Sequence, residues 1–291
     1  MVGMSCCGPL MLKKFFDRFR RLNAAPRQTR AEMLDQYVRA TPAPQHALDI
    51  FKGEWWSSLP GEWSELRAGQ LPLFNDPRIY WGIEALGGVS GKRVLELGPL
   101  EGGHTYSLER AGAESIFAIE ASTKAFLKCL VVKELLGLER SRFVLGDFEE
   151  YLRATNERFD AVIASGTIYH VRQPVELIQN LARVTERVFI WTQYYVKDRL
   201  DAIPHMAHRF GESHETEFGG FRHTRHPYFY GDFLETSRFA GGSEQFSHWL
   251  SRDDLLGALR YAGFAEIIVG VDDLDHVNGP CISLVARRPG A

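Results

Sequence analysis

The segment between residues 93 and 193 alternates between two patterns. Short apolar runs of the kind found in buried strands are each followed by a longer stretch with helical periodicity. The expected strands are residues 93–97, 115–119, 142–145, 160–164 and 187–192, and the expected helices are 105–111, 123–136, 148–154 and 174–184. Such alternation requires right-handed crossovers, so it predicts a parallel sheet with helices on both faces.

The sequence after residue 250 completes this sheet. Ser251 and Asp254 form a capping box that starts a helix, Gly263 ends it, and strands are expected at 266–271 and 281–286. A helix and two closing strands after five parallel strands predict an α/β fold. We expect a Rossmann-like, seven-stranded, mostly parallel sheet whose last hairpin brings one antiparallel strand.

We divide the chain into residues 1–44, 45–92 and 93–291. The first segment is basic, since residues 1–40 carry eight Lys and Arg against three acidic residues. A solvated amphipathic helix is favoured there over an arm that contacts RNA or a membrane. Its apolar face would consist of Leu12, Phe15, Phe16, Phe19 and Leu22.

Residues 45–92 contain four tryptophans and are expected to form a helical cover, with Asp76 and Pro77 placed to start a helix. Residues 194–248 interrupt the sheet region after its fifth strand. They are rich in aromatics and histidines but lack a regular pattern, so we expect a lid-like insert.

Composition narrows the function classes. The 291 residues carry a formal net charge of −3, so there is no domain-wide basic surface and nucleic-acid binding is not favoured. The four cysteines are too few and scattered for a disulfide framework. No apolar run could span a membrane and no signal-peptide pattern is present, so we expect a soluble, cytoplasmic protein.

A glycine turn follows the first expected strand. The strand ends near Glu96, and glycines follow at positions 98, 102 and 103, which suits backbone approach to a nucleotide-like ligand. Leu100 stands where a dinucleotide-binding fingerprint would have its middle glycine, so NAD is disfavoured. About 20 residues on, Glu120 and Ala121 end the second strand, where a carboxylate can accept hydrogen bonds from ribose hydroxyls.

The third and fourth strands end in further polar signals. Asp147 can accept a hydrogen bond from an adenine amino group while Phe148 covers the ring. After the fourth strand come Ser165 with Gly166 and then Tyr169 with His170. These residues should share the carboxyl edge of one parallel sheet.

In order and spacing, residues 90–193 resemble the class I S-adenosylmethionine (SAM)-dependent methyltransferases. The resemblance implies that Glu96 holds the methionine amino end of SAM, helped by Gly98 and the backbone from Leu100 to Gly102. It also implies that Glu120 binds the ribose. Asp147 and Phe148 would bind the adenine, and Ser165 would form the turn below the methionine.

The stretch from Phe159 to Pro174 also resembles the tRNA wobble-uridine carboxymethyltransferases, which use carboxy-S-adenosylmethionine. In that family the tyrosine of the Tyr-His pair contacts the extra carboxylate, and Tyr169 stands at that position. SAM is the expected cofactor, and the resemblance leaves its carboxy form open.

Histidines supply the candidate bases. The ordinary pKa of histidine suits His170 to be a general base, although we favour a structural role for it, packed beneath the cofactor. Tyr169 is the better candidate for a contact with the cofactor or the substrate. The insert contains the pairs His205/His208 and His223/His226. A metal site is disfavoured because neither pair lies in a clear helical pattern, so we expect His205 or His208 to line an acceptor pocket as a base.

These features predict methyl transfer from SAM to oxygen or nitrogen of a small or medium-sized acceptor, such as a sugar or specialised metabolite. Wobble-uridine modification of tRNA is the first alternative. A cofactor-binding partner subunit without catalytic activity is the second.

Overall fold

The computed structural model describes residues 29–236 and 241–290. The described chain divides into a unit that ends at His46 and a second unit that begins at Ala47. In the first unit, helix α1 (Arg30–Leu34) starts with a capping box formed by Thr29 and Glu32. The predicted amphipathic helix with its stripe from Leu12 to Leu22 lies outside the described residues.

A seven-stranded sheet organises the second unit. Its strands are β1 (Arg93–Leu97), β2 (Ser115–Glu120), β3 (Ser141–Leu145), β4 (Ala161–Ser165), β5 (Arg187–Gln193), β9 (Glu266–Asp273) and β10 (Cys281–Arg287). Strands β6 (His214–Phe218), β7 (Phe221–Phe229) and β8 (Phe246–Trp249) belong to a second sheet. The order in the seven-stranded sheet is β3-β2-β1-β4-β5-β10-β9. The first five strands pair in parallel, and β10 pairs antiparallel with both β5 and β9. The predicted fold is confirmed, including the antiparallel strand of the last hairpin.

Helices cover both faces of this sheet. They are α3 (Pro77–Ala85), α4 (Gly103–Arg110), α5 (Thr123–Leu136), α6 (Phe148–Ala154), α7 (Pro174–Val184) and α9 (Arg252–Tyr261), and two further short helices are α2 (Pro44–Asp49) and α8 (Lys197–Asp201). Side-chain caps explain where several begin: the hydroxyl of Ser122 accepts from the Ala125 amide before α5, and the Asp147 carboxylate accepts from the Glu149 amide before α6. The observed bounds agree with the predicted ones within one or two residues.

Residues 47–92 belong to the same compact unit as the sheet. Leu48, Trp55 and Phe74 are buried in one apolar cluster with Val94 and Phe189 of the sheet. Only α3 and the end of α2 are α-helical in this segment, and two short 3-10 turns (Gly61–Trp63 and Leu73–Asn75) lie between them. The expected helical cover is therefore largely irregular chain.

Close packing fixes α3 against the sheet. A Cβ atom at Gly82 would lie 2.5 Å from the ring of Phe189 in β5, so only glycine permits this approach. Trp81 meets the same ring edge to face. The start of α3, with Asp76 and Arg78, is thereby held beside the carboxyl ends of the strands.

The insert has regular structure, which corrects the expectation of an irregular loop. Strands β6 (His214–Phe218), β7 (Phe221–Phe229) and β8 (Phe246–Trp249) form a separate antiparallel sheet in the order β6-β7-β8. Gly219 and Gly220, both with positive φ, make the hairpin between β6 and β7. Within residues 29–236 and 241–290, none of the helices has the length and apolarity that a membrane span requires.

Candidate cofactor site

A cavity of about 440 Å³ lies at the carboxyl edge of the parallel strands. It brings together nine of the predicted site residues: Gly98, Leu100, Glu120, Ala121, Asp147, Phe148, Ser165, Tyr169 and His170. Glu96 and Gly102 do not line this cavity. A second depression of about 550 Å³, lined by Arg158, Arg183 and Arg288 among others, contains none of the predicted residues.

The glycine turn places Leu100 in the left-handed region. Its φ is +57°, and among the described residues it is the only non-glycine with positive φ. This conformation costs a side chain about 1–2 kcal/mol. Two contacts hold it: the Leu100 amide donates to Oε2 of Glu120 at 3.0 Å, and the Cys129 thiol donates to the Leu100 carbonyl at 3.6 Å. Leu100 lines the cavity.

Glu101 anchors the turn from the other side. Its fully buried carboxylate accepts hydrogen bonds from the amides of Trp56 and Ser57 and pairs with Lys128 Nζ at 2.9 Å. Lys128 also donates to the carbonyl of Glu54 at 2.6 Å. One buried ion pair therefore joins the irregular segment at residues 54–57, the glycine turn and α5. The sequence did not predict this contact.

Glu120 lies at the end of β2, and each of its carboxylate oxygens accepts one hydrogen bond. Oε2 accepts from the Leu100 amide, and Oε1 accepts from the Ser122 amide at 2.8 Å. Burial raises the pKa of Glu120, although these backbone hydrogen bonds oppose the rise. Each carboxylate oxygen can accept more than one hydrogen bond, so the pair of oxygens retains capacity for two hydroxyl donors.

Glu96 lies deeper than expected. It is 2% exposed, it accepts a hydrogen bond from the Thr105 hydroxyl, and it does not line the cavity. Burial raises the pKa of Glu96 to about 7, although the nearby His104 opposes the rise. In this structure Glu96 supports the start of α4 beneath the turn.

Asp147 and Phe148 line the cavity after β3, as predicted. One oxygen of Asp147 caps α6, which leaves the other oxygen for a donor in the cavity. The neighbouring Glu149 also lines the cavity, and burial together with the charge of Asp147 raises the pKa of Glu149 to about 7.

Tyr169 and His170 form an aromatic end of the cavity. Their ring centroids are 4.0 Å apart, and the ring of Tyr169 meets Trp191 and Trp249 edge to face. Burial raises the pKa of Tyr169 above its ordinary value, so its hydroxyl keeps its proton. Burial lowers the pKa of His170 to about 3, so its imidazole is neutral at pH 7.

His170 is tied to the insert. Its Nδ1 lies 2.8 Å from the hydroxyl of Tyr230, and that hydroxyl also accepts from the Gly242 amide at 3.4 Å. A Cβ atom at Gly242 would lie 2.4 Å from the carbonyl oxygen of His170, so the chain passes close over it. The insert thus contributes one wall of the cavity, which residues 241–244 also line.

Two cavity residues beside Asp76 were not predicted as site residues. Asp76 is 4% exposed and accepts from Arg78 through both oxygens, with Nη2 at 2.6 Å, while His104 Nε2 lies 2.9 Å away. Burial alone would raise the pKa of Asp76, but the hydrogen bonds from His104 and Arg78 outweigh it and hold that pKa well below its ordinary value. Arg78 and His104 line the cavity, and the sequence had marked only Asp76 and Pro77, as a helix start.

The residues from 89 to 224 match the family described as methyltransferase domain. The N-terminal domain of EvdMO1, solved with SAH (S-adenosylhomocysteine) bound, is 25% identical, with a TM-score of 0.65 over 84% of this chain and 95% of that one. The chain contains a class I SAM-dependent methyltransferase domain. The resemblance to this superfamily that the sequence indicated is confirmed.

Relatives of known name match a smaller share of this chain than the EvdMO1 domain does. The tRNA U34 carboxymethyltransferase of Idiomarina loihiensis is 30% identical over 32% of this chain and 29% of its own length. That of Methylococcus capsulatus is 30% identical over 49% and 38%. The ubiquinone biosynthesis O-methyltransferase of Aliivibrio fischeri is 24% identical over 53% and 62%. The chain therefore spans less than half the length of these carboxymethyltransferases.

The residues present fit the cofactor that a class I methyltransferase domain uses. Glu120 keeps acceptor capacity for a ribose, Asp147 and Phe148 offer an acceptor and a ring for adenine, and Gly98 lets the backbone approach the ligand. A Cβ at Gly98 would already press on Thr167 at 3.2 Å. The assignment of individual residues to parts of the cofactor remains a prediction.

The insert histidines do not meet the cavity of the methyltransferase domain. His205 and His208 are exposed and lie outside its lining, so the structure does not bring either predicted base to the site. His223 and His226 lie on β7, where side chains three residues apart point to opposite faces. Within the part of the chain that the structure describes, no group of three potential ligands is placed to hold a metal.

Proposed function

We propose that the protein transfers the methyl group of SAM to oxygen or nitrogen of a small or medium-sized acceptor, such as a sugar or specialised metabolite. The observation that carries this proposal is the lining of the cavity. Residues expected to bind cofactor and the insert residues Gly241 to Glu244 line the same volume of about 440 Å³. Sites of this size suit small ligands, and an acceptor must enter it to meet the donor.

Bound SAM would supply a sulfonium-activated methyl group, so the chain has to position the reactants, exclude water and accept a proton. Glu120, Asp147 and Phe148 would hold the adenosine part. Tyr169, whose hydroxyl stays protonated, can donate a hydrogen bond to the methyl acceptor or to SAM. The wall formed by the insert would keep water away from the reacting atoms.

His170 is suited to accepting the proton of the methyl acceptor after the methyl group has been transferred. A base with a pKa near 3 gains little by removing a proton from a neutral hydroxyl. Once the acceptor oxygen carries the methyl group, however, it becomes a strong acid, and even a weak base accepts its proton. A hydrogen bond donated by Nδ1–H of His170 to the Tyr230 hydroxyl would fix the ring and leave Nε2 unprotonated to receive that proton.

Methyl transfer is tested by incubating the protein with SAM and panels of sugars, phenols and amines. SAH release and a product heavier by one methylene are the expected results. D-fucose belongs in the panel, because the EvdMO1 domain was also crystallised in the presence of SAH and D-fucose. A protein that binds SAM but methylates tRNA alone would overturn the small-acceptor proposal.

Wobble-uridine modification of tRNA is the second candidate. It is favoured by the Tyr169-His170 pair and by the curated relatives named tRNA U34 carboxymethyltransferase. Its test is incubation of unmodified tRNA with SAM or its carboxy form, using the full chain and a chain without residues 1–40. Modified uridine that depends on the basic segment would support it, and no tRNA binding would exclude it.

A further inference from the structure

We propose that the depression of about 550 Å³ on the other edge of the sheet binds a phosphorylated nucleoside, separately from the cofactor cavity. Arg158, Arg183 and Arg288 line this depression and would bind the phosphate groups, while the ring of Tyr261 would stack on the base. Binding there does not depend on which acceptor the protein methylates.

The depression lies at the amino edge of the parallel strands. Arg158 precedes β4, Arg183 lies in the last turn of α7 before β5, and Arg288 follows β10, which runs antiparallel to β5. The cofactor cavity lies at the carboxyl edge of the same strands. A strand of five residues such as β4 spans about 16 Å, so the depression and the cofactor cavity are separate sites.

The lining of the depression is cationic. Within the part of the chain that the structure describes, three arginines and no acidic residue line it. Glu186 pairs with Arg158 at 3.3 Å from outside the lining, and both side chains are more than half exposed, so solvent screens this pair. A cationic depression of this volume suits a small anionic ligand.

The arginines make mostly long contacts with uncharged acceptors. Arg183 donates to three carbonyls and to the side chain of Asn180 at 3.3 to 3.5 Å, and Arg158 donates to the Arg183 carbonyl at 3.5 Å. Such hydrogen bonds are usually about 2.9 Å long, so these contacts are weak. Arg288 donates through Nη2 to the Ala182 carbonyl at 2.6 Å, and its Nη1 makes no hydrogen bond to any described residue. Charged phosphate oxygens form shorter and stronger hydrogen bonds with guanidinium groups, so a phosphate would displace the weak contacts.

Tyr261 adds an aromatic surface to the depression. Its hydroxyl donates to the Gly219 carbonyl at 3.0 Å, and its ring centroid lies 5.5 Å from that of Phe221, so the hairpin between β6 and β7 fixes the ring. Tyr261 is nevertheless 54% exposed, which leaves ring surface for a ligand. Because bases stack well on aromatic side chains, a fixed ring beside three arginines favours a phosphorylated nucleoside over inorganic phosphate.

Calorimetric titration of the full chain with ADP, pyrophosphate and adenosine tests this site, with saturating SAH present to fill the cofactor cavity. We expect ADP to bind, pyrophosphate to bind more weakly and adenosine to show no measurable binding. Arg158→Met and Arg288→Met should each weaken ADP binding by about 10-fold to 100-fold, the range for a hydrogen bond between charged groups.

Arg93→Met is the matched control. Arg93 begins β1 at the same edge of the sheet, is half-exposed and lies outside the lining, so this variant should keep ADP affinity within about twofold. Arg158→Lys covers the case in which a methionine variant fails to fold. It keeps the charge but loses the planar fork of donors, so it should bind ADP with intermediate affinity.

The stacking role of Tyr261 is tested with two variants. Tyr261→Leu should reduce the preference for ADP over pyrophosphate, and Tyr261→Phe should keep it because the ring remains. An unchanged preference in Tyr261→Leu would overturn the assignment to a nucleoside.

Wild-type protein that binds neither ADP nor pyrophosphate would overturn the whole inference, as would full ADP affinity in both Arg158→Met and Arg288→Met. Binding of tRNA through these arginines without binding of ADP would also overturn it. None of these results bears on methyl transfer, which the assays with SAM test separately.

Discussion

The buried pair between Glu101 and Lys128 gives a quantitative prediction for stability. The side chains of Glu101 and Lys128 are 0% and 5% exposed, and Lys128 Nζ lies 2.9 Å from Glu101 Oε1. Lys128→Met would leave a carboxylate in the interior without its cation. Breaking such a pair on one side typically costs 3–5 kcal/mol, roughly, in free energy of unfolding.

The two amides that donate to Glu101 soften this loss, so we expect the lower end, about 3 kcal/mol. In a domain of this size each kcal/mol shifts Tm by about 2–4 °C, which predicts a fall of about 6–12 °C. Combining Lys128→Met with Glu101→Gln removes the stranded charge and should recover at least half of the loss. Thermal unfolding followed by circular dichroism measures all three proteins.

Lys124→Met is the matched control on the same helix. Lys124 pairs with Glu54 at 2.7 Å, but the two side chains are 45% and 29% exposed, so solvent screens the pair and we expect a much smaller loss of stability. If Lys128→Met and Lys124→Met lowered Tm equally, the glycine turn would not depend on a buried ion pair and the reasoning would be refuted.

Three further experiments test separate parts of the site. Burial raises the pKa of Glu96 from 4.5 to about 7, so its contribution to stability is complete below pH 4.5 and is lost as pH rises through 7. The Tm of the wild-type protein should therefore fall between pH 5 and 8. Glu96→Gln should remove about 3 kcal/mol of this pH dependence of the free energy of unfolding. An unchanged pH profile in Glu96→Gln would contradict the burial argument. Leu100→Gly should be more stable to urea than Leu100→Ala by about 1 kcal/mol, because only glycine takes φ +57° without strain; the reverse order would show that the turn relaxes. Tyr230→Phe should lower turnover by about tenfold and leave SAM affinity within about twofold, and a parallel loss of both would place Tyr230 in binding instead.

The strands and helices of the sheet domain could be predicted because each signal is local. The cap of α5 at Ser122, the cap of α6 at Asp147 and Pro174 at the start of α7 all act within one turn of chain. The carboxylates at the strand ends followed from the topology, because parallel strands bring their carboxyl ends to one edge.

Contacts between distant segments could not be predicted. Glu101 and Lys128 are 27 residues apart, and nothing in either neighbourhood indicates that they meet. The cluster of Asp76, Arg78 and His104 depends on the packing of α3 against β5, which the sequence does not specify. Strand β7, which carries His223 and His226, was not predicted, because residues 194–248 lack a regular hydrophobic pattern.

Calorimetric titration of SAM into wild-type protein and Glu120→Ala tests the central claim most directly, with Glu149→Ala from the same cavity as control. Glu120 should supply charged hydrogen bonds to the ribose, so its loss should weaken SAM binding by about 10-fold to 100-fold while Glu149→Ala changes it little. Unchanged affinity in Glu120→Ala, or a wild-type preference for NAD over SAM, would contradict the account.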